Sequence, residues 1–192
     1  MTTSTSSVSW KGSAVQPLIV LVLVTLVLFA AGAAGVRQLR PWPVALRGGL
    51  AAMFVLTGVS HFVGMRQDLI NMVPPALPEP GLLVTVTGVL ELAGAAGLLW
   101  RRTAPWAAGG LSALLVAMFP ANVYAAVEGL TVGGVPAEAL VPRTLMQLVF
   151  LAATLTVLAH HVRKRRPALS ATDHTNRTSD VPVQPQTAAT RH

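Results

Sequence analysis

Cysteine is absent from this sequence of 192 residues, and charged residues are scarce. Without cysteine the chain cannot form disulfides, thiolate metal sites, Cys-ligated iron–sulfur clusters or thiol redox centres. Charged residues make up 11% of the chain against 53% hydrophobic residues, and the mean hydropathy is +0.60. That balance leaves too little polar surface to cover a water-soluble globule, so we predict an integral membrane protein that contacts the lipid bilayer.

The formal net charge of +7 does not by itself indicate a nucleic-acid partner. Most of the basic residues lie in short clusters beside apolar segments, and aromatic residues do not interleave with them as a single-strand binding surface would need. The clustered residues are Arg37, Arg40, Arg47, Arg101, Arg102, Arg163, Lys164, Arg165 and Arg166. We therefore expect no nucleic-acid binding and interpret the clusters as determinants of membrane orientation.

Five apolar segments reach the length of about 20 residues that a bilayer core requires. They run near Pro17 to Val36, Val44 to Gly64, Gly81 to Trp100, Pro105 to Val127, and Val141 to Val162. The sequence thus predicts an all-α, polytopic membrane helix bundle. We divide the chain into a polar, disordered N-terminal tail (1–14), a first transmembrane helix (15–40), a membrane domain (41–166) and a disordered cytoplasmic tail (167–192).

The basic clusters fall in alternate connections and after the last segment, so all of them can face the cytoplasm together. We expect a multi-pass protein of the cell membrane with its N-terminus outside and its C-terminus inside. Trp42, Trp100 and Trp106 fall at the same predicted boundary, where amphipathic rings prefer the headgroup level. A cleaved signal peptide is the alternative for the first segment, although its apolar run is too long for one.

Glu91 lies near the middle of the third predicted helix, where an ionisable side chain is costly in lipid. Such a group usually faces the bundle interior or a wet cavity and can be kept neutral. Two hypotheses stay open for it: a protonated carboxyl that cross-links helices, and a direct functional role.

His61 lies close to the outer end of the second predicted helix and can exchange a proton near neutral pH. It is equally suited to an interhelical hydrogen bond. Since the candidate set contains no second histidine, we predict no metal site. In the fourth predicted helix, Pro120 should produce a kink beside Asn122.

Gln147 lies in the fifth predicted helix, on a polar stripe with Arg143 and Thr154 that can serve helix packing. By depth, we expect His61, Glu91, Asn122 and Gln147 to form one polar pocket open to the outside. The proline-rich connection 71–80 would cover this pocket as a lid.

Four sequence motifs occur in the order seen in DoxX-like membrane proteins. The motifs are Gly58-Val59-Ser60-His61-Phe62, Met72-Val73-Pro74-Pro75 with Leu77-Pro78, Gly88-Val89-Leu90-Glu91-Leu92-Ala93-Gly94-Ala95, and Phe119-Pro120-Ala121-Asn122-Val123-Tyr124. Residues 44–162 resemble that family. The resemblance implies a four-helix membrane core, which makes the first segment an added N-terminal helix. It also implies that His61, Glu91, Pro120 and Asn122 belong to the family's pocket, but it does not assign them catalytic roles.

The DoxX-like family is named for a small subunit associated with a thiosulfate:quinone oxidoreductase, and most members lack an assigned activity. The resemblance favours a quinone-linked or accessory subunit of a membrane oxidoreductase assembly, with quinone bound non-covalently and a redox protein as partner. The chain carries no self-contained catalytic motif and no flavin or nicotinamide fingerprint, so whether it is an enzyme stays open. The alternatives are a small-solute or proton-coupled carrier and a membrane scaffold or assembly factor.

Overall fold

The computed structural model of the protein describes residues 15–132, 135–136 and 139–178. Its helices are α1 (Gln16–Ala33), α2 (Trp42–Ser60), α3 (Arg66–Asn71), α4 (Pro80–Leu99), α5 (Ala104–Val127) and α6 (Leu140–Thr178). A single 3₁₀ turn, Arg37–Leu39, connects α1 to α2, and the strands β1 (Thr131–Val132) and β2 (Val135–Pro136) pair antiparallel between α5 and α6. Five of these helices are long and apolar enough to cross a membrane, which confirms the predicted all-α membrane bundle.

Proline marks the start of four of the membrane helices. It occupies one of the first two positions of α1, α2, α4 and α5. The first turn of a helix has no partner for its N–H groups, so proline costs nothing there and its fixed φ favours the helix. These prolines are one reason why the helix starts could be predicted to within a few residues.

Four helices form a closed ring around the core. The contacts run from α2 to α4, from α4 to α5, from α5 to α6, and from α6 back to α2. The remaining membrane helix, α1, packs along α2, where a Cβ atom on Gly49 would lie 2.8 Å from the carbonyl oxygen of Leu21. Small residues allow such close approach between membrane helices. The structure thus has four helices around the core, and α1 lies outside this ring against α2.

The two ends of the bundle differ in structure and charge. One end, called here the arginine end, comprises residues 34–41, 100–103 and 160–163. The exposed basic residues of this end are Arg37, Arg40, Arg101, Arg102 and Arg163. Trp42 at the start of α2 meets His160 of α6 there, with ring centroids 5.6 Å apart. The opposite end, called here the capped end, comprises α3 and the β1–β2 hairpin, where Met72, Ala125 and Val132 form a small buried cluster.

The C-terminal helix continues beyond the membrane span. Residues Leu140–Arg163 are the apolar part of α6, but the helix extends to Thr178. The predicted tail 167–192 therefore begins as helix, because adding residues to an existing helix costs far less than nucleating a new one. Residues 179–192 and the predicted N-terminal tail 1–14 lie outside the described residues.

Candidate functional site

His61 and Glu91 lie side by side between α2 and α4. The Nδ1 atom of His61 is 4.0 Å from the Oε2 atom of Glu91. Both residues are buried, with 7% and 3% of their surface exposed. His61 directly follows α2, whereas Glu91 occupies the middle of α4. The structure thus brings together two of the side chains that the sequence predicts to share a pocket.

Two glycines allow this approach. A Cβ atom on Gly88 would lie 2.6 Å from the Cβ atom of His61, so any larger residue would displace the histidine or its helix. On the other helix, a Cβ atom on Gly58 would lie 3.3 Å from the Cβ atom of Glu91. Interfaces of this kind between membrane helices depend on small residues. The motifs that carry the DoxX-like resemblance therefore include the residues that fix the geometry of the pair.

The hydrogen bonding of His61 defines its tautomer. Its Nδ1 atom lies 2.9 Å from the backbone carbonyl oxygen of Thr57. Because a carbonyl can only accept, Nδ1 carries the hydrogen in this contact, and in the neutral ring Nε2 carries the lone pair. His61 lies just beyond the membrane span of α2, and burial lowers the pKa of its ring. The neutral ring can therefore accept a proton at Nε2 while it stays anchored to Thr57.

Glu91 has an incomplete set of partners. The hydroxyl of Thr57 lies near the Glu91 carboxyl group, but its hydrogen bond goes to the carbonyl oxygen of Phe54 at 3.4 Å. The carboxyl oxygen Oε2 is buried and has no hydrogen-bond partner among the described residues. A buried acceptor without a partner costs free energy, and in native structures it needs an explanation in function or in a bound molecule. The unpartnered oxygen lies on the side of the carboxyl group that faces His61.

Arg66 fixes the end of α2 to the first turns of α4. Its Nη1 atom donates to the carbonyl oxygen of His61 at 3.2 Å. Its Nη2 atom donates to the carbonyl oxygen of Gly81 at 3.3 Å and to the hydroxyl of Thr85 at 3.0 Å. The guanidinium group is partly buried, so these bonds restrain the backbone that carries His61.

A second set of polar contacts joins α5 to α6. Gln147 donates from Nε2 to the carbonyl oxygen of Leu115 at 2.6 Å, and Arg143 donates to the Oδ1 atom of Asn122 at 3.0 Å. No hydrogen bond in the described part of the chain links Asn122 or Gln147 to His61 or Glu91. The single pocket made of all four side chains stays a prediction, since the hydrogen bonds form two separate sets.

Pro120 lies inside α5, as predicted. It lacks the N–H that would otherwise donate to the carbonyl oxygen of Val116. Gln147 of α6 binds the neighbouring carbonyl oxygen, that of Leu115. A side chain from another helix thus supports the backbone beside the proline, which is a common solution in membrane helices.

A protein-family model described as a domain of unknown function, DUF8561, matches residues 50–158. The match covers more than half of the chain, from the middle of α2 to near the arginine end of α6. The chain belongs to the DUF8561 family. No curated protein and no solved structure matches the chain. The matched region contains His61, Glu91, Asn122 and Gln147, whereas α1 lies outside it.

Arg47 has a role in this DUF8561 protein that the charge pattern did not reveal. The sequence assigns it to a cytoplasmic connection, but it lies in α2 and is buried. It donates to the carbonyl oxygens of Leu98 at 2.7 Å and Leu99 at 2.8 Å, the last residues of α4. A cation at a helix C-terminus complements the exposed carbonyls there. The proline at position 43 was the available signal, because it places Arg47 in the second turn of a helix.

The proline-rich connection packs less than expected. Met72 is buried against Ala125 and Val132, but residues 75–79 are exposed. Over the described segments, α3 and the β1–β2 hairpin provide the capped end instead. In the same segments, no three His, Asp or Glu side chains are grouped so that they could hold a metal ion.

Proposed function

We propose that this protein is a DoxX-like, quinone-linked or accessory subunit of a membrane oxidoreductase assembly, in which His61 and Glu91 exchange protons. The observation that supports this proposal is the buried His61–Glu91 pair with its unpartnered carboxyl oxygen. Where a buried ionisable pair lies inside a membrane bundle, a role in a proton or ligand pathway is the default hypothesis.

The chemistry of quinones suits this pair. Reduction of a quinone to a quinol takes up protons together with electrons, and oxidation releases them. His61 offers a lone pair at Nε2 in its neutral form, and Glu91 offers an oxygen that has no partner in the described residues. Side chains positioned in this way can act as general acid and base. A redox protein partner would supply or accept the electrons.

Lipid-facing side chains lie beside the pair. Phe62, which follows His61 in sequence, is exposed at the bundle surface. A Cβ atom on Gly88 would lie 2.9 Å from the Cε2 atom of Phe62, so the ring lies against α4. A quinone dissolved in the bilayer could approach the α2–α4 contact over this aromatic surface without entering the core of the bundle.

The packing below the pair argues against the carrier hypothesis. Leu50, Phe54 and Leu98 fill the bundle on the arginine side of Glu91, and each is at most 1% exposed. A carrier needs a path that can open to either side of the membrane. The dense apolar packing of this region supports a site reached from one side or from the lipid, which suits a subunit of an assembly better.

The charge distribution supports an orientation with the arginine end in the cytoplasm and the N-terminus outside. Arg37, Arg40, Arg101 and Arg102 lie together at that end, and the acidic residues Asp68, Glu79 and Glu128 lie towards the capped end. Reporter fusions after residues 40, 70, 103 and 166 test the orientation. Cytoplasmic reporter activity at residue 70 or external activity at residue 166 would contradict it.

Quinone content of the purified protein tests the proposed function. Full-length protein extracted in mild detergent should retain quinone, which solvent extraction and chromatography detect. His61→Asn should lose most of it, because asparagine cannot exchange a proton at the position of the ring. Gly110→Ala is the matched control, since a Cβ atom there meets nothing within 4 Å. Wild-type protein that neither retains quinone nor binds it after reconstitution with a quinone-containing bilayer would refute the proposal.

A further inference from the structure

Glu91 is close to the end of α2 although it is deep within α4. At 1.5 Å per residue it lies about 16 Å along α4 from Pro80 and about 12 Å from Leu99. The residue of α2 that faces it is Gly58, and α2 ends at Ser60. Only the last turn of α2 therefore separates the carboxyl group from the connection at the capped end.

On the arginine side, Glu91 meets apolar packing. Phe54 lies one turn before Gly58 on α2, and Ala95 lies one turn after Glu91 on α4. Both belong, with Leu98 and Leu111, to a cluster whose members are all buried. Interiors packed in this way hold few voids and admit no water without polar partners. Arg47 then ties α2 to the last carbonyls of α4 and closes this side.

On the capped side, Glu91 meets polar groups instead. His61 lies 4.0 Å from its free oxygen, and Arg66 donates to the backbone carbonyl of His61. The same guanidinium group reaches Thr85 on α4, two turns before Glu91 towards the capped end. Polar atoms thus extend from Glu91 towards the end of the bundle in this direction.

Of the titratable side chains near the membrane spans, His61 is the one that lies beside Glu91. Glu91 is the only carboxylic acid in the five described spans. Spans α1 and α5 contribute nothing titratable except Tyr124, and α2 contributes Arg47. The remaining groups lie on α3, in the connections or towards the ends of α6: Arg66, Asp68, Glu79, Glu128 and Arg143 towards the capped end, and Arg37, Arg40, Arg101, Arg102, His160, His161 and Arg163 at the arginine end.

We infer that Glu91 exchanges protons with the aqueous phase at the capped end only, through His61 and past Arg66, and that the arginine side is sealed. In this relay His61 accepts a proton at Nε2 from the capped side and loses the Nδ1 proton to Oε2 of Glu91, which leaves the ring as the Nε2–H tautomer. The reverse of these two steps returns the proton to the capped side and restores the Nδ1–H form. The inference rests on the proton-exchanging role proposed for the pair, but it does not require a quinone. It makes the protein a one-sided proton site and not a proton channel.

Infrared spectroscopy of sealed vesicles tests the sidedness. Full-length protein is reconstituted, and vesicles of one orientation are selected through a C-terminal tag. The band of the protonated carboxyl group is assigned to Glu91 by its loss in Glu91→Gln. A pH step on the capped side alone should change this band, and a step on the arginine side alone should leave it unchanged until a protonophore is added.

Two histidine variants sharpen this test. His61→Asn should slow the response by roughly a hundredfold, in line with the loss of a positioned proton-transfer group. His161→Asn is the matched control and should respond as wild type does. His161 makes the same contact to the carbonyl four residues earlier, Val157, at 2.9 Å, but it lies at the arginine end.

A band that responds to the arginine side, or to neither side, overturns the inference. Equal response rates in His61→Asn and wild type overturn the relay through His61. These outcomes are independent of quinone retention. Quinone retention without a one-sided infrared response refutes only this inference. A one-sided response without quinone retention refutes only the proposed function.

Discussion

The α5–α6 contact and the α2–α4 contact both bury polar side chains, but they satisfy them to different degrees. Between α5 and α6, Ser112 donates to Thr154 at 2.8 Å and Gln147 donates to Leu115 at 2.6 Å. Between α2 and α4, His61 and Glu91 stand 4.0 Å apart, and one carboxyl oxygen has no partner in the described residues. The α5–α6 contact has the hydrogen bonds expected between associating helices. The α2–α4 contact leaves a buried carboxyl oxygen of Glu91 without a partner in the described residues.

This difference guides the interpretation of buried polar groups in a membrane bundle. Ser112 with Thr154, and Gln147 with the carbonyl oxygen of Leu115, are explained as interhelical hydrogen bonds. An unpaired carboxyl oxygen costs free energy that packing alone does not return. The α2–α4 contact is therefore the better candidate for a function, and the α5–α6 contact is the better candidate for the stability of the bundle.

The largest expected effect comes from Gly88→Ala, which breaks the α2–α4 contact. The new Cβ atom would lie 2.6 Å from the Cβ atom of His61, so one helix must move. Overpacking of this kind costs about 1–3 kcal/mol, which unfolding in detergent measures. Gly110→Ala is the matched control and should not destabilise the protein, because it faces open space. Equal stability of the two variants would mean that the close approach of α2 and α4 is wrong.

A smaller effect is expected from Gln147→Leu, which breaks the α5–α6 contact. The substitution leaves the carbonyl oxygen of Leu115 without its donor beside the kink at Pro120. Interhelical hydrogen bonds in membranes contribute about 0.6–1.7 kcal/mol, so the loss should fall in that range. Quinone retention should stay at the wild-type level. A loss of quinone without a loss of stability would move the site towards α5 and α6, as the four-residue pocket predicts.

The effect of pH on stability should be smaller still. Because burial lowers the pKa of His61 in the folded protein, the unfolded chain binds a proton more readily. Stability should therefore be constant above a pH of about 6.5 and fall as the pH drops below it. His61→Asn should reduce this fall, whereas His161→Asn should retain it. Detergent melting curves over a pH series provide the measurement, and a slope unaffected by His61→Asn would contradict the assignment.

The sequence predicted the helices well because each span carries its own signal. Runs of about 20 apolar residues and prolines in the first turn are local features, and the structure places all five spans close to their predicted ranges. The extension of α6 beyond its membrane span, to Thr178, has no such local signal. Composition reports whether a segment can pack, but it does not report whether an existing helix continues.

The partners of each helix could not be predicted in the same way. Helical periodicity shows which residues share a face, but it does not show which helix that face meets. From their expected depth in the membrane, we predicted that Gln147 and Glu91 share a pocket. In the structure, Gln147 donates to a backbone carbonyl oxygen of α5. The role of Arg47 was hidden because its partners are carbonyl groups, which every residue of α4 carries.

Glu91→Gln, measured for stability and for the pH dependence of quinone affinity, tests the central claim most directly. Glutamine keeps the size of the carboxyl group and an acceptor oxygen, so the free energy of unfolding should stay within about 0.5 kcal/mol of wild type. Glu91→Leu removes every polar atom of the side chain beside His61 and should cost more. If the pair exchanges protons, quinone affinity varies with pH in the wild type and loses that dependence in Glu91→Gln. A glutamine variant with wild-type stability and an unchanged pH dependence would contradict the account.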